Sequence, residues 1–162
     1  MRDRSQLIQE DYVDEEHFPW KVLLICQCLN RAAWPVAEIV VKEILEIYPD
    51  PFEAEDVSLD PESDSYNSLF GVVRCLGFGK NRAKYFVEMS RSYVRCLEVY
   101  GDRYFRYPVK SFAGCGQYAE DAWTLFVLRR PCEPKDRLLR NYVERMGYEG
   151  TKDKDSRVQI AG

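Results

Sequence analysis

Residues 111–123 read SFAGCGQYAEDAW: an apolar approach, a cysteine bracketed by Gly114 and Gly116, and then a run with helical character. Two positions without a Cβ in a helix-to-helix connection bring the backbone very close to something. One candidate is another helix, since a tight turn between packed helices needs the same glycines. The other is an anion, since the free N–H groups and positive dipole end of the next helix lie just after the glycines. The spacing alone leaves both open.

Outward from that stretch, the long segments carry helical signals. Pro19 opens PWKVLLICQCLNRA (19–32), which is apolar on nearly every face and predicts a central helix. In WPVAEIVVKEILEIYP (34–49), Val36, Ile39, Val40, Ile44 and Ile47 fall on one stripe, and Pro49 ends the run. DPFEAEDVSLDPESDS (50–65) is acidic, carries two Asp-Pro steps and reads as a loop or short turns. SYNSLFGVVRCLGFG (65–79) predicts a short helix ending in glycines, and KNRAKYFVEMSRSYVRCLEVYG (80–101) a long amphipathic one. PVKSF (108–112), the glycines and QYAEDAWTLFVLRR (117–130) predict two helices joined by a tight hairpin. PKDRLLRNYVERMG (134–147) predicts a last helix, stopped by Gly147. No stretch alternates as a strand does and no unit repeats. The expected fold is all-α: one domain over residues 1–150, with a polar, disordered tail over 151–162.

The chain has 162 residues and is 46% hydrophobic, enough for a real core, yet no apolar run approaches a membrane span. The opening MRDRSQLIQEDYVDEEH lacks the apolar centre of a secretory leader. Cys26, Cys28, Cys75, Cys96, Cys115 and Cys132 lie scattered, mostly in apolar helical stretches. None is spaced as CxxC, and Cys26-x-Cys28 is too tight for a zinc knuckle, so buried reduced thiols of an intracellular protein are expected. The lone histidine, His17, has no partner for a metal site or a triad and reads as structural.

A net charge of −4 speaks against a nucleic-acid partner, but the distribution of charge does not. Glu43 to Asp64 holds nine acidic residues and no lysine or arginine. Arg74 to Lys110 holds nine basic residues against Glu88, Glu98 and Asp102. That pattern gives either ordinary solvated helix faces or one strongly positive face.

At YPVKSFAGCGQYAEDAW (107–123), followed by PKDRLLRNY (134–142), the chain resembles the helix-hairpin-helix DNA glycosylases. Within that family it resembles the glycosylase domain of the methyl-CpG-binding domain protein 4 group, which acts on thymine or uracil opposite guanine. LIQE, PWKVLLICQCLNR, LGFGKNRAK, GCGQYAED and PKDRLLRNY follow that domain's order and spacing over about residues 6–148. The resemblance implies a nuclear, monomeric base-excision-repair enzyme whose partner is double-stranded DNA with a mismatched or deaminated base. It implies no cofactor: the iron–sulfur cluster of some members needs four cysteines after the catalytic aspartate, and no cysteine follows Asp136.

The same resemblance assigns roles. Asp136, which from sequence alone could simply cap the last helix, stands at the place of the catalytic aspartate. Tyr118 occupies the position where bifunctional members carry a Schiff-base lysine. A phenol cannot form that adduct, so a monofunctional enzyme with Tyr118 in the base pocket is implied. Gln9 matches a glutamine that hydrogen-bonds the extruded pyrimidine, and Arg31 an arginine that fills the gap the base leaves. Phe78 replaces a leucine wedge beside the widowed guanine. Lys80, Arg82 and Lys84 are expected at phosphates, as is the backbone at Gly114 and Gly116. Two alternatives stand beside this reading: a DNA-binding module without turnover, and a glycosylase for another damaged base.

Overall fold

The computed structural model describes residues 6–147, and among them the fold is all-α. Seven α-helices follow in order: α1 (Phe18–Leu29), α2 (Trp34–Ile47), α3 (Pro51–Glu55), α4 (Asp64–Val73), α5 (Gly79–Tyr100), α6 (Gln117–Ala122) and α7 (Arg137–Arg145). A short 3-10 segment, Ile8–Tyr12, precedes them. The tail expected to be disordered, 151–162, lies outside the described residues.

Helix α1 is the centre. Trp20, Val22, Leu23 and Ile25 have no exposed surface, and α1 packs against α2, α5, α6 and the Ile8–Tyr12 segment. A helix apolar all round has no solvent face and must be surrounded. Its polar residues are therefore paired: Lys21 Nζ donates to Oε1 of half-exposed Glu15 at 2.7 Å, and buried Trp20 Nε1 to Ser90 Oγ on α5 at 3.0 Å.

Three expectations need correction. In α2 the buried stripe is Ala37, Val40, Val41 and Ile44, while Val36, Ile39 and Ile47 are exposed, Ile39 by 58%. The helix is apolar around more than half its circumference, so periodicity found the helix and misplaced its inner face. The acidic stretch expected as loop or turns contains α3, whose start is fixed by Asp50 Oδ1 accepting from the Glu53 N–H at 2.8 Å. Its Ala54 is fully buried, and α3 packs against α5.

The third correction concerns the glycine hairpin. Its first arm is a three-residue 3-10 turn, Val109–Ser111, and not a full helix. Its second arm is α6, which widens into a π-type turn at Trp123–Val127, closed by the Leu128 N–H to the Trp123 carbonyl at 3.0 Å. Aromatic packing anchors the hairpin. Tyr107 stacks on Trp123 at 5.5 Å and meets Tyr93 edge-on at 5.6 Å.

The phase of α2 is directly testable in urea. Ile44→Ala should destabilise the fold by about 2–4 kcal/mol, the usual result of emptying a buried aliphatic site. Ile39→Ala should change stability by less than about 0.5 kcal/mol. Equal effects would show that the inner face is the one periodicity suggested.

Candidate functional site

Between the Ile8–Tyr12 segment, the end of α1, the glycine hairpin and the start of α7 lies a cavity of about 640 Å³. Four residues singled out in the sequence line it together with Gly114: Arg31, Gly116, Tyr118 and Asp136. They come from positions more than a hundred residues apart, so only the fold brings them together.

Asp136 is the N-cap of α7: its backbone is extended, and Oδ2 accepts from the Leu139 N–H at 3.0 Å. That is the only hydrogen bond its side chain makes among the described residues. Capping thus holds one carboxylate oxygen against the helix end while the residue faces the cavity. The cap and the cavity-lining group are one and the same.

Gln9 stands behind the wall, with no exposed surface. Its Nε2 donates to the Tyr118 hydroxyl at 3.3 Å and approaches Cys26 Sγ at 4.0 Å. Its Oε1 is buried without a partner, an arrangement that costs about 1–3 kcal/mol and that folded proteins seldom retain without a reason. Burial, reinforced by Cys26 and Asp136 nearby and opposed by the Gln9 hydrogen bond, pushes the Tyr118 phenol well above its usual range. Burial likewise pushes the Cys115 thiol up to about 12, and the Cys26 thiol rises for the same reason, reinforced by Cys115. The lining therefore carries one acid, Asp136, and one cation, Arg31, among groups that stay neutral at neutral pH.

The segments at either end of the chain are tied together. Arg145 of α7 forks onto Glu10, Nη1 to Oε1 at 2.7 Å and Nη2 to Oε2 at 3.1 Å, while Oε2 also accepts from the Leu7 N–H. This clamp holds the Gln9 segment against the helix that Asp136 opens. Nothing in a linear reading pairs residues so distant. Gln27 was missed as well, although a glutamine inside a continuous apolar run announces an internal partner. Its Nε2 donates to the Ala113 carbonyl of the hairpin at 2.6 Å and to the Tyr85 carbonyl of α5 at 3.1 Å.

The glycines divide their tasks. Gly114 has φ +71°, and a Cβ there would meet the Tyr85 side chain at 3.2 Å and Gln27 Nε2 at 3.4 Å. Its close neighbour is the protein itself. Gly116 caps α6, and a Cβ there would find nothing within 4 Å. No side chain caps that helix, so its first amides lack a capping partner.

The remaining predicted contacts lie off the cavity. Phe78 is 64% exposed at the start of α5, and Lys80 lies beside it in the first turn, off the cavity lining. Lys84 reaches Glu88 at 3.9 Å across the α5 surface. Arg82 spends its guanidinium on the protein, donating to the carbonyls of Gln27, Asn30, Leu76 and Gly77. Arg91 likewise donates to the carbonyls of Glu55 and Val57. Among the described residues no group of three or more His, Cys, Asp or Glu is placed to hold a metal ion. No helix among them is long and apolar enough to cross a membrane.

No protein-family model matches the chain. It is distantly related to a methyl-CpG-binding domain protein 4-like protein of Arabidopsis thaliana, 27% identical over 143 residues. The match takes in 87% of this chain and 28% of the relative, so the chain spans under a third of that protein's length.

Two measurements check this geometry. Gly114→Ala, at a positive φ and against Tyr85, should lower stability by at least about 1 kcal/mol, whereas Gly116→Ala should change it by a few tenths; equal losses in thermal melts would contradict the assignment. The second is pH. The thiols of Cys28 and Cys115 ionise near 9.0 when unfolded and at about 12 when folded, so the unfolded chain releases those protons first. Their contribution is complete below pH 9.0 and is lost as pH climbs toward about 12. The melting temperature should fall across that window, more gently in Cys115→Ala, and an equal slope in that variant would refute the placement of the thiol.

Proposed function

We propose that this chain is a monofunctional DNA glycosylase of base excision repair, acting in the nucleus as a monomer on thymine or uracil mispaired with guanine. The observation that carries the reading is Asp136: a carboxylate held by its own helix cap on the wall of a cavity that Tyr118, backed by buried Gln9, also lines. The relationship to the Arabidopsis thaliana protein, whose name refers to binding of methyl-CpG, supports DNA as the partner.

The chemistry follows from the groups present. The target nucleotide leaves the duplex, at a cost of a few kcal/mol that is lowest for a mispaired base, and its base enters the cavity. Gln9 works from behind the wall. By donating to the Tyr118 oxygen it leaves the phenol proton free to point at a pyrimidine carbonyl. As the C1′–N1 bond breaks, its electron pair departs with the base and positive charge grows on the sugar. Asp136 stabilises that charge and accepts a proton from the water whose oxygen bonds to C1′; the base leaves as an anion and is reprotonated. The products are free base and an abasic site. With tyrosine in place of an amine no covalent enzyme–sugar adduct forms, and the strand stays intact. Arg31, at the cavity mouth, fills the gap in the stack, and the uncapped amides that follow Gly116 meet a phosphate.

Asp136→Asn tests this. Asparagine caps a helix about as well as aspartate, so melting should be unchanged, while base release from G·T and G·U duplexes should fall by about a hundredfold or more. Binding to the mispaired duplex should persist. In the unsubstituted protein, strand breaks should appear only after alkali, and borohydride should trap nothing. Normal turnover by Asp136→Asn would remove the central residue, and a trapped adduct would remove the monofunctional assignment.

A further inference from the structure

Arg82, expected at a phosphate, turns its guanidinium inward and bridges two loops. Nη1 donates to the Gln27 carbonyl at 2.9 Å and Nη2 to the Asn30 carbonyl at 2.6 Å, groups at the end of α1 that the helix itself leaves without donors. Nε donates to the Gly77 carbonyl at 2.7 Å, just before α5, and Nη2 also reaches the Leu76 carbonyl at 3.4 Å. One planar fork thus joins the turn after α1 to the turn before α5.

Each turn ends in a non-glycine residue in the left-handed region: Arg31 with φ +54° and Phe78 with φ +53°. Backbone of this kind is held only where the surroundings enforce it, and it gathers at functional sites. Neither side chain is used inside the protein. Arg31 is exposed and makes no hydrogen bond or ion pair among the described residues, and Phe78 is 64% exposed and apart from the core. Arg31 lines the cavity mouth, whereas Phe78 stands outside the cavity. The fold therefore strains two turns to present a cation and an aromatic ring to the outside, and one guanidinium holds both turns.

We infer that Arg82 is a positioning residue for extrusion: it locks Arg31 and Phe78 at a set separation, so that the cation enters the vacated place in the stack while the ring wedges beside the unpaired partner base. This rests on the glycosylase reading for its substrate, a mispaired duplex. The fork matters more than the charge. A lysine keeps the cation but carries its donors on a single nitrogen, so it cannot span both turns in register as the planar fork does. The separation of roles is also chemical: Arg82 makes four hydrogen bonds to carbonyls, so its part is to hold the turns and not to contact a phosphate directly.

The experiment uses the full chain and a duplex with 2-aminopurine beside a G·T mispair. On saturation with the unsubstituted protein the fluorescence should rise as the stack opens. Arg82→Lys should bind with an unchanged dependence on salt, while the fluorescence rise disappears and single-turnover base release falls about a hundredfold, the scale of a small misplacement of reacting groups. The inference is overturned if Arg82→Lys opens the stack normally. It is equally overturned if Arg82→Ala lowers the slope of log affinity against log salt by about one, the signature of a lost phosphate contact. Should the variants melt early, nitrogen-detected NMR of the unsubstituted protein decides: the Arg82 Nε–H should exchange slowly with water and keep its shift when duplex is added, and a large shift would overturn the inference. A protein that opens the mispair but releases no base would defeat the glycosylase reading and leave the positioning role standing.

Discussion

A helix that is apolar on every face has to be covered on every face, and α1 imposes that condition on the molecule. With Trp20, Val22, Leu23 and Ile25 sealed from water, α2, α5, α6 and the Ile8–Tyr12 segment are drawn around it. At its C-terminal end Cys26 and Leu29, with Arg31 just beyond, border the cavity. The cavity is the space that remains where the surrounding elements diverge from the end of a buried rod. The polar groups of that last turn then serve as attachment points: the Gln27 side chain takes the hairpin and α5, and the carbonyls of Gln27 and Asn30 take Arg82.

The electrostatics of the site follow from the same burial. Thiols and a phenol on the wall are held neutral because ionising them would place charge where water cannot reach it. Against that background one carboxylate and one guanidinium stand out at close to full strength, since few competing charges surround them. Asp136 stands at a helix N-terminus, where the peptide dipoles favour a negative group.

Much of the fold could be read from residues taken in order. Pro19, Pro49, Gly101 and Gly147 mark helix ends where periodicity and turn chemistry place them. What escaped were decisions made between segments. The inner face of α2 is chosen by what packs on it, and Val36 and Ile39 are as apolar as Val40 and Ile44. The hairpin's first arm looked helical, but Pro108 and the pull of the Tyr107–Trp123 stack leave it a single turn. At the site, Asp136, Tyr118, Gln9 and Arg31 were visible through family resemblance, and the cavity gathers them or sets them directly behind its wall. The Glu10–Arg145 clamp was invisible, because a side-chain fork between distant segments leaves no local pattern. Arg82 shows the opposite failure: a basic residue in a basic stretch reads as a surface charge until its carbonyl partners are seen.

The Glu10–Arg145 clamp also bears on how the chain reaches this state. It joins residues 135 apart, nearly the whole described length, and the cavity wall it holds is built from the earliest and the latest segments. Contacts of such separation form late, because the loop they close is the longest available. During synthesis α1 and its neighbours can collapse as soon as they emerge, but the segment bearing Gln9 lacks its tie to Arg145 until α7 leaves the ribosome. A partly made chain therefore has a core without a working cavity. Any capacity to act on a substrate arrives in the final step of folding, not gradually along the way.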